Sequence, residues 1–418
     1  MTRQSFVCAL ALFAIAIGRV SQAQGIDGYA SVMVDLLPAI DVAASSSPAS
    51  LDRRAMLELR PRVFAERRVD LGAHVRLTAA GFAEALMARR QASEATALVR
   101  PQELHVELLW PKADLRVGLS RVVWGRLDEF LPTDVVNPLD LMRFFLEGRV
   151  ESRIPVGMIR GRLLPSERIT VEGLYVPVFR RGRFDQLAED SSPFNLSTSL
   201  AASIREPRHA WENAQAGMRT SVTTGRVDWS ISAYRGFETF PVYEIGIVGG
   251  APALGGRFPR FSMVGGDVET VHGEWGLRGE VAVFVDRTLQ VVNQPRTTTG
   301  RSFEAGIGAD RKAGASRVSA NVVVSGRTSS DGASIDDKDT LVVASVDRSF
   351  SRDTRRLRGF AVYNPGEQSG FARVIASFNM RDDVTVETSA GWFAGSGRDP
   401  LSRLATRDFI YARLKVFF

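Results

Sequence analysis

The chain has 418 residues, with 53 basic and 47 acidic side chains and a single cysteine, Cys8. No stretch approaches the roughly 18 consecutive apolar residues of a membrane-spanning helix, which excludes a helical membrane protein. One cysteine excludes an internal disulfide and a cysteine-based metal site. All but four of the basic residues are arginines. A GC-rich genome and a surface that binds carboxylates or phosphates in bidentate fashion both explain this bias.

The amino terminus predicts a secretory signal peptide over residues 1–23. Arg3 precedes an apolar run, and Ser21-Gln22-Ala23 provides a small-x-small cleavage site. Cys8 lies too far from that site to carry a lipid anchor. Residues 24–418 then form the exported chain, whose formal charge is +4 once Arg3 and Arg19 are removed.

Apolar and polar residues alternate with a period of two through about eighteen segments of about ten residues, the length of a tilted strand that crosses a bilayer. Short connections, such as residues 66–69, alternate with long ones, such as residues 81–100 and 179–210. Short periplasmic turns and long extracellular loops are typical of outer-membrane barrels. Only residues 364–370 fit this rhythm poorly. The sequence therefore predicts an all-β fold, a single transmembrane antiparallel β-barrel of about 18 strands (16–20).

Arginine dominates the face of these strands that lies opposite the apolar row. The arginines expected to line the lumen are Arg60, Arg62, Arg76, Arg116, Arg160, Arg162, Arg219, Arg278, Arg358, Arg373 and Arg413. The acids on that face are fewer, namely Glu58, Glu107, Glu172, Glu280, Glu304 and Glu387. Excess cations lower the energy of anions in a pore, which predicts a preference for anionic solutes. The alternative is that these polar groups fill a wet interior and pair with one another.

Residues 125–153 are too apolar for a solvated loop, and we expect them to fold into the lumen as a constriction or partial plug. Asn137 and Pro138 have the chemistry of a helix start and predict a short helix over residues 138–146. The residues expected to form the constriction are Asp128, Pro132, Thr133, Asp134, Asn137, Pro138, Asp140, Phe144 and Phe145. An oligomer contact and a hydrophobic portal for a lipid-like substrate are the alternatives.

The histidines do not define an active site. His74 and His105 fall on the inner face of consecutive strands near Arg76 and Glu107, but no serine motif accompanies them and their spacing is poor for zinc. The chain has no phosphate-binding loop and no nucleotide or nucleic-acid motif. We therefore expect no enzymatic activity, no cofactor, no metal site and no nucleic-acid partner.

The last strand, which ends at Phe418, places Ile410 and Leu414 on one face and Tyr411 and Arg413 on the other. An apolar row that faces lipid and a terminal aromatic residue are typical of the strand that closes an outer-membrane barrel. Pairing with the first strand would leave no free edge. We expect the barrel-assembly machinery to recognise this strand.

Several motifs resemble those of large porin-like outer-membrane proteins in a family of unknown function, which is distantly similar to alginate-export barrels. The motifs are Trp124-Gly125, Asp128, the Pro-Thr-Asp-Val-Val-Asn-Pro-Leu-Asp stretch of residues 132–140, Gly173, Tyr175, Pro177, Gly391-Trp392-Phe393 and Tyr411-Ala412-Arg413-Leu414. The resemblance spans most of the chain and is sharp over residues 120–180. It implies an outer-membrane barrel that passes a solute or polymer. Members of such families are sometimes associated with transport of lipids or hydrophobic compounds.

These patterns together predict an outer-membrane porin or channel that passes small or polymeric anionic solutes through an arginine-rich lumen. Its expected surroundings are outer-membrane lipid and lipopolysaccharide. A transporter of lipid-like compounds and a structural or adhesive barrel are the alternatives. The substrate, the open or plugged state and the oligomeric state do not follow from the sequence.

Overall fold

The structure, a computed structural model, describes residues 25–38, 56–89, 93–196, 201–248 and 251–418. The predicted signal peptide lies outside these residues. Three short helices are present in the described ranges: α1 (Leu141–Leu146), α2 (Arg149–Ser152) and α3 (Pro400–Arg403), with a 3-10 turn at Trp211–Asn213. None of the helices in these ranges is long and apolar enough to cross a membrane.

Strands make up most of the described chain. In chain order they are β1 (Asp27–Leu37), β2 (Met56–Leu71), β3 (Val75–Arg89), β4 (Ser93–Trp110), β5 (Ala113–Ser120), β6 (Val156–Ser166), β7 (Ile169–Val176), β8 (Ala201–Arg205), β9 (Gln215–Thr224), β10 (Val227–Phe237), β11 (Val242–Val248), β12 (Ala251–Arg257), β13 (Arg260–His272), β14 (Trp275–Gln290), β15 (Thr297–Ala313), β16 (Ser316–Ser329), β17 (Lys338–Phe350), β18 (Arg355–Asn364), β19 (Ser369–Arg381), β20 (Val384–Ala394) and β21 (Phe409–Phe417). The short strands β8, β11 and β12 form a separate three-stranded sheet.

The other eighteen strands form one closed antiparallel sheet, in which each strand pairs with the next one along the chain. The ring closes between β1 and β21, from Tyr29 opposite Phe417 to Leu36 opposite Ile410. Closure leaves the sheet without a free edge, as a strand structure in lipid requires. The predicted barrel of about 18 strands is confirmed.

The barrel is apolar outside and polar inside. In β21, Ile410 and Leu414 are 55% and 42% exposed on the outer surface, whereas Tyr411 and Arg413 are buried inside. The same alternation exposes Val281 on β14. Such a surface would promote aggregation in water but matches the hydrocarbon of a bilayer. The faces predicted for the last strand are confirmed.

Two belts of exposed aromatic side chains bound the apolar surface. The belt at the end with short turns contains Trp110, Trp229, Trp275, Phe350 and Phe378, and the belt at the loop end contains Tyr175, Phe303, Tyr363 and Trp392. In β15, eight residues separate Phe303 from Arg311, which pairs with Trp275. At ~3.4 Å per residue along a tilted strand, this matches the ~25 Å apolar band of an outer-membrane barrel. By the same rule the short turns face the periplasm.

The first periplasmic turn lies later than predicted. β2 continues to Leu71, so residues 66–69 lie in the strand and residues 72–74 form the turn. Arg67 pairs with Ala79 in the β2–β3 ladder. The charged residues therefore occupy the strand end near the lipid headgroups, where charge is tolerated, and not a turn.

Residues 81–100 were also wrongly predicted as a loop, because β3 occupies residues 81–89 and β4 occupies residues 93–100, with residues 90–92 outside the described ranges. Phe82 and Leu86 point inward and are buried by segments inside the barrel, and this burial favours an extended ladder over a solvated loop. Residues 365–368 form a short turn at the loop end, so the alternation of periplasmic and extracellular connections is kept.

We expect Ile307→Arg to lower the free energy of unfolding by about 2–4 kcal/mol, because a guanidinium at mid-membrane on the lipid face loses hydration. Ile307 is 71% exposed near the middle of β15. The measurement is a urea titration of protein folded into phosphatidylcholine vesicles. Ala315→Arg, in the turn after β15, is the control and should change stability by less than about 0.5 kcal/mol. An equal loss in both variants would show that Ile307 does not face lipid.

Candidate functional site

The inward segment, residues 121–155 between β5 and β6, crosses the lumen and contacts opposite walls. Near its start the Trp124 ring is buried, and its Nε1 donates to Glu172 Oε1 on β7 at 2.8 Å. Helix α1 packs on the other side, where the Phe145 ring lies 5.0 Å from the Phe393 ring on β20. Strands β7 and β20 are about half the ring apart. The segment therefore spans the bore, as the sequence predicted.

One carboxylate holds this segment against β14. Glu280 Oε2 accepts from the backbone N–H groups of Arg126 at 2.9 Å and Leu127 at 3.3 Å. Glu280 Oε1 accepts from the N–H of Thr133 at 2.7 Å and from its hydroxyl at 2.8 Å. Gly125 has φ 90°, and a Cβ there would overlap this carboxylate. Four donors on one acidic group fix the path of the segment along the wall.

Charged contacts extend this anchor to β13. Arg126 Nε donates to Asp267 Oδ1 at 2.7 Å and its Nη1 donates to Glu269 Oε2 at 2.8 Å. Asp128 Oδ1 accepts from Arg278 Nη1 at 3.0 Å. These groups are partly or fully withdrawn from water, so removal of one partner would leave a poorly solvated charge.

The segment is also braced internally. Asp134 Oδ2 accepts from the Nη2 of Arg149 at 3.0 Å and of Arg153 at 2.6 Å. Asn137 Oδ1 accepts from the backbone N–H of Val122 at 2.7 Å. These contacts join the start and the end of the segment into a neck where it leaves the barrel wall.

Helix α1 begins at Leu141, three residues later than predicted. The N-cap is Asp140, whose Oδ1 accepts from the Arg143 N–H at 3.2 Å. Asn137 bonds the backbone of the neck and Pro138 lies before the helix. The short helix is confirmed, but its predicted start was wrong because tertiary contacts take the side chain that local sequence assigned to capping.

A network of buried charges connects α1 to β2, β3 and β21. Arg62 donates to Glu84 at 2.8 Å and to Glu147 at 2.6 Å, and Arg143 also pairs with Glu84. Arg413 reaches Glu147 at 3.2 Å. Burial opposes ionisation of Glu147, but Arg62 and the other cations outweigh it and hold the pKa of Glu147 well below its usual range. The helix is thus tied to the wall by ionised groups.

A second inward segment, residues 177–196 between β7 and β8, also enters the lumen, which the sequence analysis did not predict. Its backbone pairs with the first segment, since the Leu141 N–H donates to the Arg183 carbonyl at 2.8 Å. Phe194 is fully buried and stacks on Phe145 at 5.6 Å. The second inward segment also contains apolar residues, which is the property that identified the first segment. Its inward fold could therefore have been predicted from the sequence.

Carboxylates connect this second inward segment to its neighbours. Asp185 accepts from Arg60 Nη2 on β2 at 2.9 Å, and Asp140 Oδ2 accepts from the Gln186 N–H at 3.2 Å. Burial raises the pKa of Asp140 to about 6, because desolvation outweighs the nearby Arg143 guanidinium. The two segments and the wall therefore form one connected polar core.

All eleven predicted arginines lie on the inward side of their strands, and each has a partner. Ten form ion pairs: Arg60 with Glu58 and Asp185, Arg62 with Glu84 and Glu147, Arg76 with Asp70, Arg116 with Glu107, Arg160 with Glu172, Arg162 with Asp114, Arg219 with Asp267, Arg278 with Asp128 and Asp310, Arg358 with Asp347, and Arg413 with Glu147 and Glu387. Arg373 donates to the Phe145 carbonyl oxygen at 2.7 Å. Pairing cancels much of the field of a free guanidinium.

A cavity of about 290 Å³ lies between the inward segment and the wall of β15, β16 and β17. It is lined by Phe130, Leu131, Pro132 and Arg149 of the segment and by Glu304, Val323, Ser325, Arg327, Asp339 and Leu341 of the wall. The lining mixes apolar and charged groups. The predicted constriction residue Pro132 is thus at the edge of this space, whereas Phe144 and Phe145 belong to the apolar core against which the lining residues Phe130 and Leu341 pack.

The histidines do not converge. His74 lies in a periplasmic turn, where its Nδ1 is 2.9 Å from the Leu109 carbonyl oxygen. His105 is buried in β4, opposite Thr78 and several residues along the ladder from His74. Within the ranges that the structure describes, no three metal-ligating side chains are grouped to hold an ion.

A closed barrel of 18 antiparallel strands, with a lipid-facing apolar belt and segments inside its lumen, is the fold of a porin-like outer-membrane barrel. OccAB3 of Acinetobacter baumannii is similar to it, with a TM-score of 0.51 and 9% identity over 95% of this chain and 100% of that chain. This likeness shows the fold alone.

Two further solved structures are similar over comparable lengths. OmpT, an outer membrane protein of Vibrio cholerae, has a TM-score of 0.46 and 12% identity over 94% of this chain and 97% of that chain. OmpF of Salmonella typhi in complex with daunomycin has a TM-score of 0.45 and 9% identity over the same shares. No protein-family model and no curated protein matches the sequence.

We expect Glu280→Ala to loosen the inward segment, because the N–H groups of Arg126, Leu127 and Thr133 lose their acceptor at a cost of about 1–3 kcal/mol each. Amide hydrogen exchange of the peptide over residues 126–133, measured by mass spectrometry, should rise about tenfold or more. Glu280→Gln keeps only one of the two acceptor oxygens, so its exchange should lie between those of the wild type and Glu280→Ala. Equal exchange in all three proteins would contradict the anchoring role.

Proposed function

We propose that this protein is an outer-membrane channel that passes small solutes along the space between the inward segment and the wall of β15, β16 and β17. The observation that carries the proposal is the cavity at that place, in the lumen of a barrel that crosses a membrane between two aqueous compartments. The proposed function is transport without a chemical step and without a cofactor.

The distribution of anchors supports this route. The polar anchors of the inward segment go to β7, β13 and β14 on one side and to β2, β3, β19 and β21 on the other. Toward β16 and β17 the segment presents Phe130, Leu131 and Pro132 across a gap. This is the side on which we propose that a solute passes, because the charge network does not cross the gap there. A polymeric solute would require the two inward segments to move.

The charge of the route favours only a weak selectivity. In the cavity, Arg149 and Arg327 lie with Glu304 and Asp339, so basic and acidic side chains are equal in number. A pore with balanced charges discriminates little between anions and cations. We therefore place any preference for anions outside the cavity.

We further propose that a weak anion preference arises in the periplasmic half of the lumen. There the side chains of Arg76, Arg162 and Arg358 are 40%, 36% and 48% exposed to solvent, although each has an acidic partner. An arginine in contact with water can exchange its partner for a passing anion, whereas a buried arginine such as Arg60 cannot.

The test of the channel is ionic conductance of the folded protein in a planar bilayer. Ser325 faces the cavity and Val324 next to it faces lipid. Ser325→Trp should lower the single-channel conductance several-fold, because the indole fills much of a cavity of about 290 Å³. Val324→Trp adds the same volume to the lipid face and should conduct like the wild type.

Two outcomes would overturn the proposal. Equal conductance in the Ser325→Trp and Val324→Trp proteins would place the route elsewhere. Absence of current from folded wild-type protein would exclude an open channel and favour the transporter of lipid-like compounds or the structural barrel.

The test of selectivity is the reversal potential in a potassium chloride gradient. The double variant Arg162→Ala and Arg358→Ala leaves Asp114 and Asp347 without these partners, and should lower the ratio of chloride to potassium permeability by about twofold. Arg311→Ala removes a cation from the lipid face of β15 and serves as the control. An unchanged ratio in the double variant would exclude these arginines as the source of the preference.

A further inference from the structure

The outer surface carries a groove at the loop end of the wall formed by β14 to β17, with a volume of about 560 Å³. Its lipid-facing lining includes Val283, Phe303, Val324, Gly326, Thr328 and Thr340. The Phe303 ring lies over Gly326, where a Cβ would overlap it. The absence of a side chain at this position thus lets the Phe303 ring lie flat against β16, where it forms part of the groove wall.

Two cations stand at the rim of this groove. Arg301 and Lys338 point outward by the alternation of β15 and β17, and both side chains are exposed. Within the described chain neither forms an ion pair, in contrast to the arginines of the lumen. Lys338 is one of only four lysines in the protein. Unpaired cations on a lipid-facing surface favour binding of an anionic group.

The height of these cations in the membrane matches that of lipid phosphates. Phe303 belongs to the aromatic belt at the loop end, and Arg301 lies two residues further toward the loops, about 7 Å along the strand. Aromatic belts lie at the level of the headgroups. The Arg301 guanidinium is therefore at or just above that level, in the outer leaflet.

Neighbouring strands extend the basic surface. Arg235 on β10 and Arg260 on β13 also point outward at the loop end. They bond neutral acceptors: Arg235 donates to the Ser262 hydroxyl at 3.0 Å and Arg260 donates to the Glu212 carbonyl oxygen at 2.8 Å. Their charges are thus not cancelled by a carboxylate in these contacts, and the positive potential spreads over a sector of the barrel.

We propose that this groove binds a phosphorylated lipid of the outer leaflet. Arg301 and Lys338 bind its phosphate, Thr328 and Thr340 offer hydroxyl donors, and an acyl chain lies along the Phe303 ring. A guanidinium and an ammonium together suit a phosphate, since the first is bidentate and the second is a compact charge. The inference requires the outer-membrane location but does not depend on conduction.

Two acidic residues lie beside the groove. The Asp339 side chain faces the inside of the barrel, where its carboxylate accepts from the Thr340 N–H at 2.9 Å and from the Asn364 side-chain amide at 2.8 Å. Asp337 is exposed at the rim beside Lys338 and weakens the positive potential there. Removal of the Asp337 charge should therefore strengthen lipid binding, whereas removal of the cations should weaken it.

The experiment measures lipid binding to the full-length mature protein in nanodiscs by native mass spectrometry, with bisphosphorylated lipid A as the probe. The double variant Arg301→Ala and Lys338→Ala should weaken binding about thirtyfold, whereas Asp337→Asn should strengthen it about fivefold. The matched control is Arg348→Ala with Arg355→Ala, two outward cations at the periplasmic ends of β17 and β18, and it should bind like the wild type. Heat-dependent gel mobility verifies that each variant is folded.

Three results would overturn the proposal. Wild-type affinity in the Arg301 and Lys338 double variant would show that these cations are not the site. If the Arg301 and Lys338 double variant lost as much affinity for phosphate-free lipid A as for the bisphosphorylated form, the groove would bind lipid only by apolar packing. Displacement of the lipid by inorganic phosphate at comparable concentration would assign the site to free phosphate. Because none of these readouts is a current, failure of the channel proposal remains distinguishable.

Discussion

The closure of β1 on β21 is the constraint on which the rest of this structure depends. Lipid offers no hydrogen bonds, so a sheet in a bilayer is stable only when its last strand pairs with its first. Closure puts one face of every strand against hydrocarbon and the other inside a lumen. Ile410 and Arg413, three residues apart in β21, thus occupy environments that differ more than the surface and core of a water-soluble protein.

The lumen follows from the same constraint. An apolar outer face leaves the charged residues to the interior, and the two inward segments then withdraw many of them from water. A withdrawn charge is stable only with a partner. This explains why Glu280 accepts from four donors and why Glu147 is bound by arginines of both β2 and β21. The segments are held by specific ionic contacts on two sides and leave space on a third.

That third side, the wall of β15 to β17, carries both proposed functional features. Ser325 faces the inner cavity and Gly326, the next residue, lies in the outer groove. Alternation along one strand is sufficient to give the wall a path for a solute inside and a site for a lipid outside. The wall bears few anchors for the inward segments, so the two features do not compete with the contacts that hold those segments.

The period-two pattern by itself determined the closed barrel of about 18 strands and the two faces of β21, because the direction of a strand side chain depends only on its place in the sequence. The apolar content of residues 125–153 was sufficient to predict that this segment folds inward. The tertiary structure alone decided the start of α1 at Leu141, the entry of the second inward segment and the partners of the lumen arginines. Arg413 and Glu147, for example, are 266 residues apart in the chain. Whether such an arginine is free or paired depends on which loops fold inward, and no local pattern contains that information.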